Sequence, residues 1–129
     1  MAQFSLGLIE TIRGRQAFYK LKLEDGRCPL DEFCEKIENT SYASELKTIF
    51  AYMDLIANNN TLPHTKFKDL TPSKDKNKEY EFKSKHLRVY VFHDAKSGKI
   101  VAHGGTKTDQ KSDIKYFRNL KKQYFNSPR

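Results

Sequence analysis

Three stretches in which apolar side chains recur at every second residue constrain the fold of this chain more than any other feature. They cover Tyr80–Lys83, Leu87–His93 and Lys99–His103, and a period of two is that of a β-strand. Asp94–Gly98 separates the last two stretches and ends in a glycine, which can adopt positive φ in a turn. The second half of the chain therefore predicts three successive antiparallel strands.

Two amphipathic helices are predicted upstream of these strands. Pro29 suits the first turn of a helix, because its missing N–H needs no partner there. Asn39–Ser41 breaks the first helix and can cap the second. Apolar residues three and four apart mark the two buried faces: Leu30, Phe33, Cys34 and Ile37, then Leu46, Ile49, Phe50, Met53, Ile56 and Ala57. We expect the helices to form a hairpin on one face of the sheet.

The two ends of the chain complete the expected fold. Alternation around Phe4–Leu8 and Phe18–Leu23 predicts an N-terminal hairpin. Residues 61–78 are expected to be a loop with a short extended piece near Phe67, and Thr106–Ser112 a polar bend. Ile114, Phe117, Leu120 and Tyr124 mark one face of a final helix. The expected class is α+β: an antiparallel sheet with two N-terminal helices in a hairpin and one C-terminal helix.

The length of 129 residues suits one domain, spanning 1–129, with one modest core. No segment approaches the roughly 18 apolar residues that a membrane span needs. The first residues lack the basic start of a signal peptide, so a cytoplasmic location is expected. Cys28 and Cys34 are the only cysteines, and their spacing is not that of a redox or zinc pair. We expect two reduced thiols.

The net charge of +8 is concentrated in the second half of the chain. Residues 1–63 carry 7 Lys/Arg against 9 Asp/Glu, a balance of −2, whereas residues 64–129 carry 17 against 7, a balance of +10. Such an asymmetry favours a surface that binds a polyanion. A solvated lysine-rich face is the alternative that charge alone leaves open.

Five short motifs, taken in order, resemble the RelE/ParE superfamily of type II toxins, and within it the HigB-type and phage-derived Gp49-like branch. The resemblance runs from about Phe18 to Phe125. The motifs are Asp25–Phe33 (DGRCPLDEF), Phe67–Leu70 (FKDL), Tyr80–Lys83 (YEFK), Leu87–Tyr90 (LRVY) and His103–Lys107 (HGGTK), the last followed by Gln110 and Lys111. The residues at about 3–12 look like an additional N-terminal strand on a single RelE/HigB-like domain.

The chain departs from the pattern of this branch at four positions. Gly105 stands where an aromatic residue is preferred, Thr108 where a second lysine is usual, and Asp113 where many members have proline. Lys83 replaces the commoner arginine, which keeps the charge but loses the bidentate fork. These departures bear on catalytic strength more than on the fold.

The resemblance implies a ribosome-dependent mRNA endonuclease that inhibits translation, a hydrolase of the mRNA interferase type. The nucleophile would be the RNA's own 2′-hydroxyl, so neither a protein nucleophile nor a metal or other cofactor is required. The protein must orient the RNA, move protons and neutralise charge on the phosphate. The implied partners are mRNA, the ribosomal A site, and a cognate antitoxin with a helix-turn-helix DNA-binding domain.

Five residues are the catalytic candidates: Lys83, Arg88, His103, Lys107 and Lys111. Arg88 interrupts an apolar strand and is assigned to phosphate stabilisation, with a structural ion pair to Glu81 or Asp94 as the alternative. Lys83, Lys107 and Lys111 could reach the same phosphate, and one of them could act as acid or base. His103 is an acid or base by type, or a hydrogen-bonded histidine at a strand end that shapes the turn expected at Gly104 and Gly105.

A second group of residues is expected to bind RNA without taking part in the chemistry. Tyr116 could stack on a base, or pack within the protein. The expected RNA-binding set is Lys66, Lys68, Lys85, Tyr116 and Arg118. The four histidines lack the spacing of a metal site.

Three other functions remain open at this point. A ParE-like relative would inhibit DNA gyrase, a non-catalytic module would only bind a partner, and a plain basic RNA-binding domain would bind without cleaving. Convergence of Lys83, Arg88, Lys107 and Lys111 favours the nuclease, because a gyrase inhibitor does not need all four.

Overall fold

The computed structural model describes residues 4–127 as a six-stranded sheet with helices on both faces. A single 3-10 turn, Lys107–Asp109, leads into the last helix. In chain order the elements are β1 (Ser5–Leu8), β2 (Phe18–Lys22), α1 (Pro29–Glu38), α2 (Ala43–Ala57), β3 (Phe67–Asp69), β4 (Glu79–Lys83), β5 (Leu87–Asp94), β6 (Gly98–Thr106) and α3 (Gln110–Asn126). The expected α+β class is confirmed. The expected N-terminal hairpin, β1 with β2, and the three successive antiparallel strands β4, β5 and β6 are confirmed as well.

The sheet is mixed, so the expectation of an antiparallel sheet is wrong at one junction. The strand order is β1-β2-β6-β5-β4-β3, and β2 runs parallel to β6 while every other pair is antiparallel. A nine-residue connection, 9–17, joins β1 to its antiparallel partner β2, and short turns fix the directions of β4, β5 and β6 against one another. The two groups meet only after two helices have intervened, and local patterns do not set the direction of that distant pairing.

The helices cover the two faces of the sheet unequally. α1 and α2 pack on one face, around the fully buried Phe18, Ile49, Met53 and Phe82. α3 covers the other face, where Phe117 contacts Tyr90 and Phe92. The expected helical hairpin on one face is thus confirmed. Among residues 4–127, no helix is long and apolar enough to cross a membrane.

Two of the expected boundaries are wrong. The bend expected at Thr106–Ser112 is replaced by strand, a 3-10 turn and helix, because β6 continues to pair with β5 as far as Thr106 opposite Leu87. The cap expected from Asn39–Ser41 is absent, since the first residues of α2 receive no side-chain cap. Thr40 instead donates its hydroxyl to the Ile37 carbonyl, 2.7 Å away, and ends α1.

Gly104 and Gly105 lie within β6 and not in a turn, which corrects the expectation from sequence. A Cβ on Gly104 would lie 2.5 Å from Cδ2 of Phe33 in α1. A Cβ on Gly105 would overlap the carboxylate of Asp113 in α3. The two glycines therefore allow a helix to approach each face of the same strand.

A buried ion network fastens α3 to the loop before β4. Lys121 is 5% exposed, and its Nζ lies 2.8 Å from Oδ2 of Asp75 and 2.9 Å from Oε2 of Glu79. The same ammonium donates to the carbonyl of Asn77, 2.6 Å away. Arg118 adds a hydrogen bond from Nε to Oε1 of Glu79 at 3.0 Å. The buried Glu79 carboxylate is thus paired at both oxygens.

The two ends of the described chain meet beside the β5–β6 turn. The ring of Phe4 packs edge-on against Tyr124, with ring centroids 6.3 Å apart. The hydroxyl of Tyr124 donates to Oδ2 of Asp94, the last residue of β5, at 2.8 Å. This corner lies at the opposite end of β5 from the β4–β5 turn.

Candidate nucleic-acid interface

Two backbone hydrogen bonds bring lysines together at the β4–β5 end of the sheet. The Lys83 N–H donates to the carbonyl of Lys66 at 2.8 Å, which joins the end of β4 to the segment before β3. The Lys107 N–H donates to the carbonyl of His86 at 2.8 Å, which joins the end of β6 to the β4–β5 turn. We call this region, with Lys66, Lys83, Lys85, Lys107 and Lys111, the basic end of the sheet.

The charges of the basic end are not neutralised by the protein itself. None of its five lysines forms a salt bridge with a carboxylate among residues 4–127. Lys66 instead places Nζ over the ring of Tyr52, 5.5 Å from its centroid. Of the other basic residues, Lys20, Lys78, Arg118 and Lys121 are paired with acids, whereas lysines such as Lys68, Lys115 and Lys122 form no salt bridge within residues 4–127. A region of unpaired positive charge attracts a polyanion.

Arg88 is placed next to Lys83 but is turned into the protein. The two residues are opposite each other on β5 and β4 and therefore share the α3 face of the sheet. The guanidinium donates from Nη1 to the carbonyls of Ser84 at 2.7 Å and Leu87 at 2.8 Å. With its side chain 8% exposed and Nε 3.8 Å from Oε1 of Glu81, Arg88 makes the ion pair named as its structural alternative. The phosphate role of Arg88 stays a prediction.

A buried polar cluster surrounds the ion pair of Arg88 and Glu81, beneath the first turn of α3. Gln110 donates to Oε1 of Glu81 at 2.7 Å and covers the pair from above. Three buried atoms of this cluster have no hydrogen-bond partner among the described residues: Oε2 of Glu81, Nε of Arg88 and the hydroxyl of Tyr90. Burial, together with the nearby Glu81 carboxylate, raises the pKa of Tyr90 and keeps the phenol protonated.

His103 and Tyr116 contact each other and line a pocket that none of the five lysines lines. His103 is 5% exposed, stacks on Tyr90, and donates from Nε2 to the carbonyl of Asp113 at 3.0 Å. Burial lowers the pKa of His103 despite that hydrogen bond. Tyr116 packs edge-on against the same imidazole. Both residues line a pocket of about 320 Å³ between α1 and α3. His103 is thus hydrogen-bonded, as its structural alternative expects, but it lies within β6 and not before a turn.

The remaining RNA-binding candidates are separated from one another. Lys68 is exposed on β3, an edge strand, opposite Glu81. Arg118 donates to Glu79 and, from Nη2, to the carbonyl of Leu70 at 2.9 Å, so it belongs to the ion network that holds α3. Lys66 and Lys85 are the two members of this set that reach the basic end.

Sequence reasoning missed a carboxylate–histidine pair at the basic end. Nδ1 of His86 lies 2.7 Å from Oε2 of Glu45, and the His86 backbone N–H donates to Oε1 of the same carboxylate at 2.7 Å. The ring of Tyr42 stacks on the imidazole with centroids 4.6 Å apart. The partners are 41 residues apart in sequence, and no local pattern signals such a distant contact.

Neither cysteine has the environment of a reactive thiol. Cys28 and Cys34 are both free. Burial raises the pKa of Cys28, and it raises that of Cys34 to about 11. Because the thiolate is the nucleophilic form, both side chains are inert at neutral pH.

Residues 4–127 contain no group of three or more His, Cys, Asp or Glu side chains arranged to hold a metal ion. Comparison with known proteins adds no assignment, because no protein-family model, curated protein or solved structure matches the chain. The resemblance to RelE/ParE toxins therefore rests on the five short motifs of the sequence.

Proposed function

We propose that this protein is the toxin of a type II toxin–antitoxin system, an mRNA endonuclease with a RelE/ParE-type fold. The observation that carries the proposal is the basic end of the sheet, where backbone hydrogen bonds join Lys83 to Lys66 and Lys107 to the residue after Lys85. None of its five lysines forms a salt bridge within the described part of the chain. The five motifs supply the reaction class, and the basic end supplies a place to bind its substrate. The site of action is cytoplasmic, on mRNA in the ribosomal A site.

The lysines of the basic end have two tasks in this reaction. They hold the RNA backbone, and they offset the negative charge that builds on the phosphate as the 2′-oxygen attacks. Lys83 directly precedes the β4–β5 turn, and Lys107 donates its backbone N–H to the His86 carbonyl in that turn, so these two are assigned to the reacting phosphate. Lys66, Lys85 and Lys111 hold the neighbouring phosphates.

The cognate antitoxin is proposed to neutralise the same surface. An acidic segment of the antitoxin can pair with lysines that the toxin leaves without acids. An antitoxin segment bound to the basic end would prevent mRNA from binding there. Its helix-turn-helix domain is part of what the resemblance implies.

The test is primer extension on a defined mRNA in a bacterial cell-free translation reaction, with and without ribosomes. Wild-type protein should produce discrete cuts, and the double variant Lys83→Ala/Lys107→Ala should produce none. Lys122→Ala is the matched control, because Lys122 is an exposed lysine of α3 outside the basic end. The control should cut as wild type does.

Each other result assigns a different function. Intact mRNA in every lane, combined with inhibited DNA supercoiling in a gyrase assay, would replace the nuclease by the gyrase-inhibiting alternative. Intact mRNA with salt-sensitive RNA binding would leave a plain RNA-binding domain. Equal cutting by the double variant would remove the basic end from the reaction.

A further inference from the structure

Glu45 is the centre of a hydrogen-bond cluster that fixes the β4–β5 turn against α2. Its Oε1 accepts from the hydroxyl of Ser84 at 2.5 Å and from the backbone N–H of His86 at 2.7 Å. Its Oε2 lies 2.7 Å from Nδ1 of His86. Burial alone would raise the pKa of this carboxyl, but hydrogen bonds from Ser84 and His86 outweigh it and lower the pKa to about 2.

The ionised state of Glu45 determines the tautomer of His86. A carboxylate has no hydrogen to donate, so the contact at Oε2 requires a hydrogen on Nδ1 of the imidazole. In the neutral ring the lone pair then resides on Nε2. A carboxylate that fixes a histidine in this tautomer is the arrangement by which hydrolases prepare a general base.

The imidazole of His86 is held rigidly and is open to solvent at the same time. Tyr42 stacks on one face of the ring at an interplanar angle of 23°. The His86 side chain is nevertheless 41% exposed, whereas that of Glu45 is 20% exposed. No hydrogen bond to Nε2 is made by any residue of the described part of the chain.

His86 also lies among the lysines proposed to hold RNA. It follows Lys85 directly, and its carbonyl accepts the N–H of Lys107. Among the described residues, the titratable groups that contact the ring are Glu45 in α2 and Tyr42, the residue that precedes α2, while Lys107 approaches through its backbone. A phosphate held by Lys85 or Lys107 would therefore be bound near the imidazole.

We propose that His86 is the general base of RNA cleavage and that Glu45 is the residue that positions it. This inference rests on the proposed function, since it assigns the proton transfer within that reaction. His103 cannot take this part in the conformation observed, because its Nε2 is committed to the Asp113 carbonyl inside the protein.

The proposed step is an in-line transesterification. Nε2 of His86 accepts the proton of the 2′-hydroxyl, and the 2′-oxygen forms a bond to the adjacent phosphorus. The bond from phosphorus to the 5′-oxygen breaks, and that oxygen takes a proton from water. The products are a 2′,3′-cyclic phosphate and a 5′-hydroxyl, and the imidazolium returns its proton to solvent.

The first experiment measures the tautomer and does not depend on activity. Long-range ¹H–¹⁵N correlation spectra of the whole protein report which ring nitrogen of neutral His86 carries hydrogen. We expect the Nδ1–H form in wild type and a shift toward the Nε2–H form in Glu45→Gln, whose amide can donate to Nδ1. An Nε2–H form in wild type would overturn the proposal.

The second experiment measures single-turnover cleavage of the same defined mRNA, under the ribosome condition in which wild type cuts. His86→Ala should lower the rate by about 100-fold or more, the range for loss of a general base, with RNA affinity unchanged. It retains the backbone N–H at position 86, so the turn can still bind Glu45. Circular dichroism checks that the variant is folded. His64→Ala is the matched control, because His64 is an exposed histidine outside this cluster.

Three further readouts separate a general base from a purely structural histidine. Added imidazole should restore part of the activity of His86→Ala. The pH dependence of the cleavage rate should differ between His86→Ala and wild type, because the variant lacks the group that accepts the proton. Glu45→Gln should lose rate while keeping RNA affinity. Absence of all three effects would make His86 structural and overturn the proposal.

The two levels of inference can fail separately. If wild type cuts RNA and His86→Ala cuts equally well, the assignment of His86 is wrong and the nuclease stands. If wild type has the Nδ1–H tautomer but leaves the mRNA intact, the nuclease is wrong, and the catalytic role of His86 falls with it. An mRNA with a 2′-deoxynucleotide at the cut site should resist wild type, which tests the nucleophile itself.

Discussion

At Gly105 the side chain of Asp113 in α3 lies directly against β6. Because a Cβ there would overlap the Asp113 carboxylate, Gly105→Ala must displace that carboxylate or the first turn of α3. We expect a loss of about 1–3 kcal/mol in the free energy of unfolding, the range for inserting one methyl group into a packed site. Urea denaturation measures it.

A double-mutant cycle tests the cause of that loss. Asp113→Ala removes the carboxylate that the new methyl group would meet, so Gly105→Ala should cost much less in that background. An equal cost in both backgrounds would show that the strain arises elsewhere.

Glu45 should make the stability of the protein depend on acidity. Its pKa of about 2 is lower than the ordinary value of 4.5, so the folded state favours the ionised carboxyl. The stabilisation is fully present above about pH 4.5 and is lost as the pH falls toward 2. We expect wild type to exceed Glu45→Gln by about 1–2 kcal/mol at neutral pH, allowing for solvent screening. A difference that does not shrink in acid would contradict this prediction.

Arg88 and Glu45 show which side-chain contacts can be predicted from the sequence and which cannot. Arg88 could be recognised as unusual, because a charge in an apolar strand needs a partner, and Glu81 was one of the partners considered. The bond between Glu45 and His86 could not be anticipated, since it depends on how α2 packs against a turn 41 residues away. Periodicity identifies buried faces, but it does not report which polar side chains meet across elements.

At the scale of elements, the contact that holds α3 to the loop before β4 rests on one buried ammonium. Lys121→Ala would leave the carboxylate of Glu79, which is 1% exposed, without that partner. We expect a loss of about 3–5 kcal/mol in the free energy of unfolding, as for other broken buried ion pairs. Urea denaturation is again the measurement.

The neighbouring lysine provides the control for this prediction. Lys122 is exposed on the same helix, so Lys122→Ala should change stability by no more than about 0.5 kcal/mol. Similar effects of the two substitutions would mean that the ion network contributes little to the fold.

The elements themselves were largely predictable, and their limits and distant partners were not. The period of two located β4, β5 and β6, and the helical spacing located α1, α2 and α3. The glycines at 104 and 105 were misassigned to a turn, because glycine favours turns locally and only the packing of Phe33 and Asp113 explains it inside a strand. The parallel pairing of β2 with β6 likewise depends on contacts that sequence patterns do not encode.

For the whole molecule, the uneven charge should appear as salt-dependent RNA binding. The logarithm of the affinity falls with the logarithm of salt concentration by about 0.7 for each phosphate contact to a single strand. Replacing Lys83 or Lys107 by alanine should therefore reduce the slope by about 0.7. Fluorescence anisotropy with a labelled single-stranded RNA measures this slope.

A lysine outside the basic end should behave differently. Lys122→Ala should leave the slope of wild type unchanged, because Lys122 lies outside the region where the phosphates are proposed to bind. A reduction equal to that of Lys83→Ala would indicate diffuse attraction by the whole charged surface in place of a defined site.

The meeting of Phe4 with Tyr124 at the β5–β6 turn has a practical consequence for how this protein can be handled. Both ends of the described chain lie at the far end of β5 from the basic end, separated by the length of an eight-residue strand, about 25 Å. A peptide tag, a fluorescent fusion or a biosensor surface joined near either end would therefore be attached on the side of the protein away from the basic end. The lysines and His86 would then point toward the solution, free to meet a ribosome or an antitoxin.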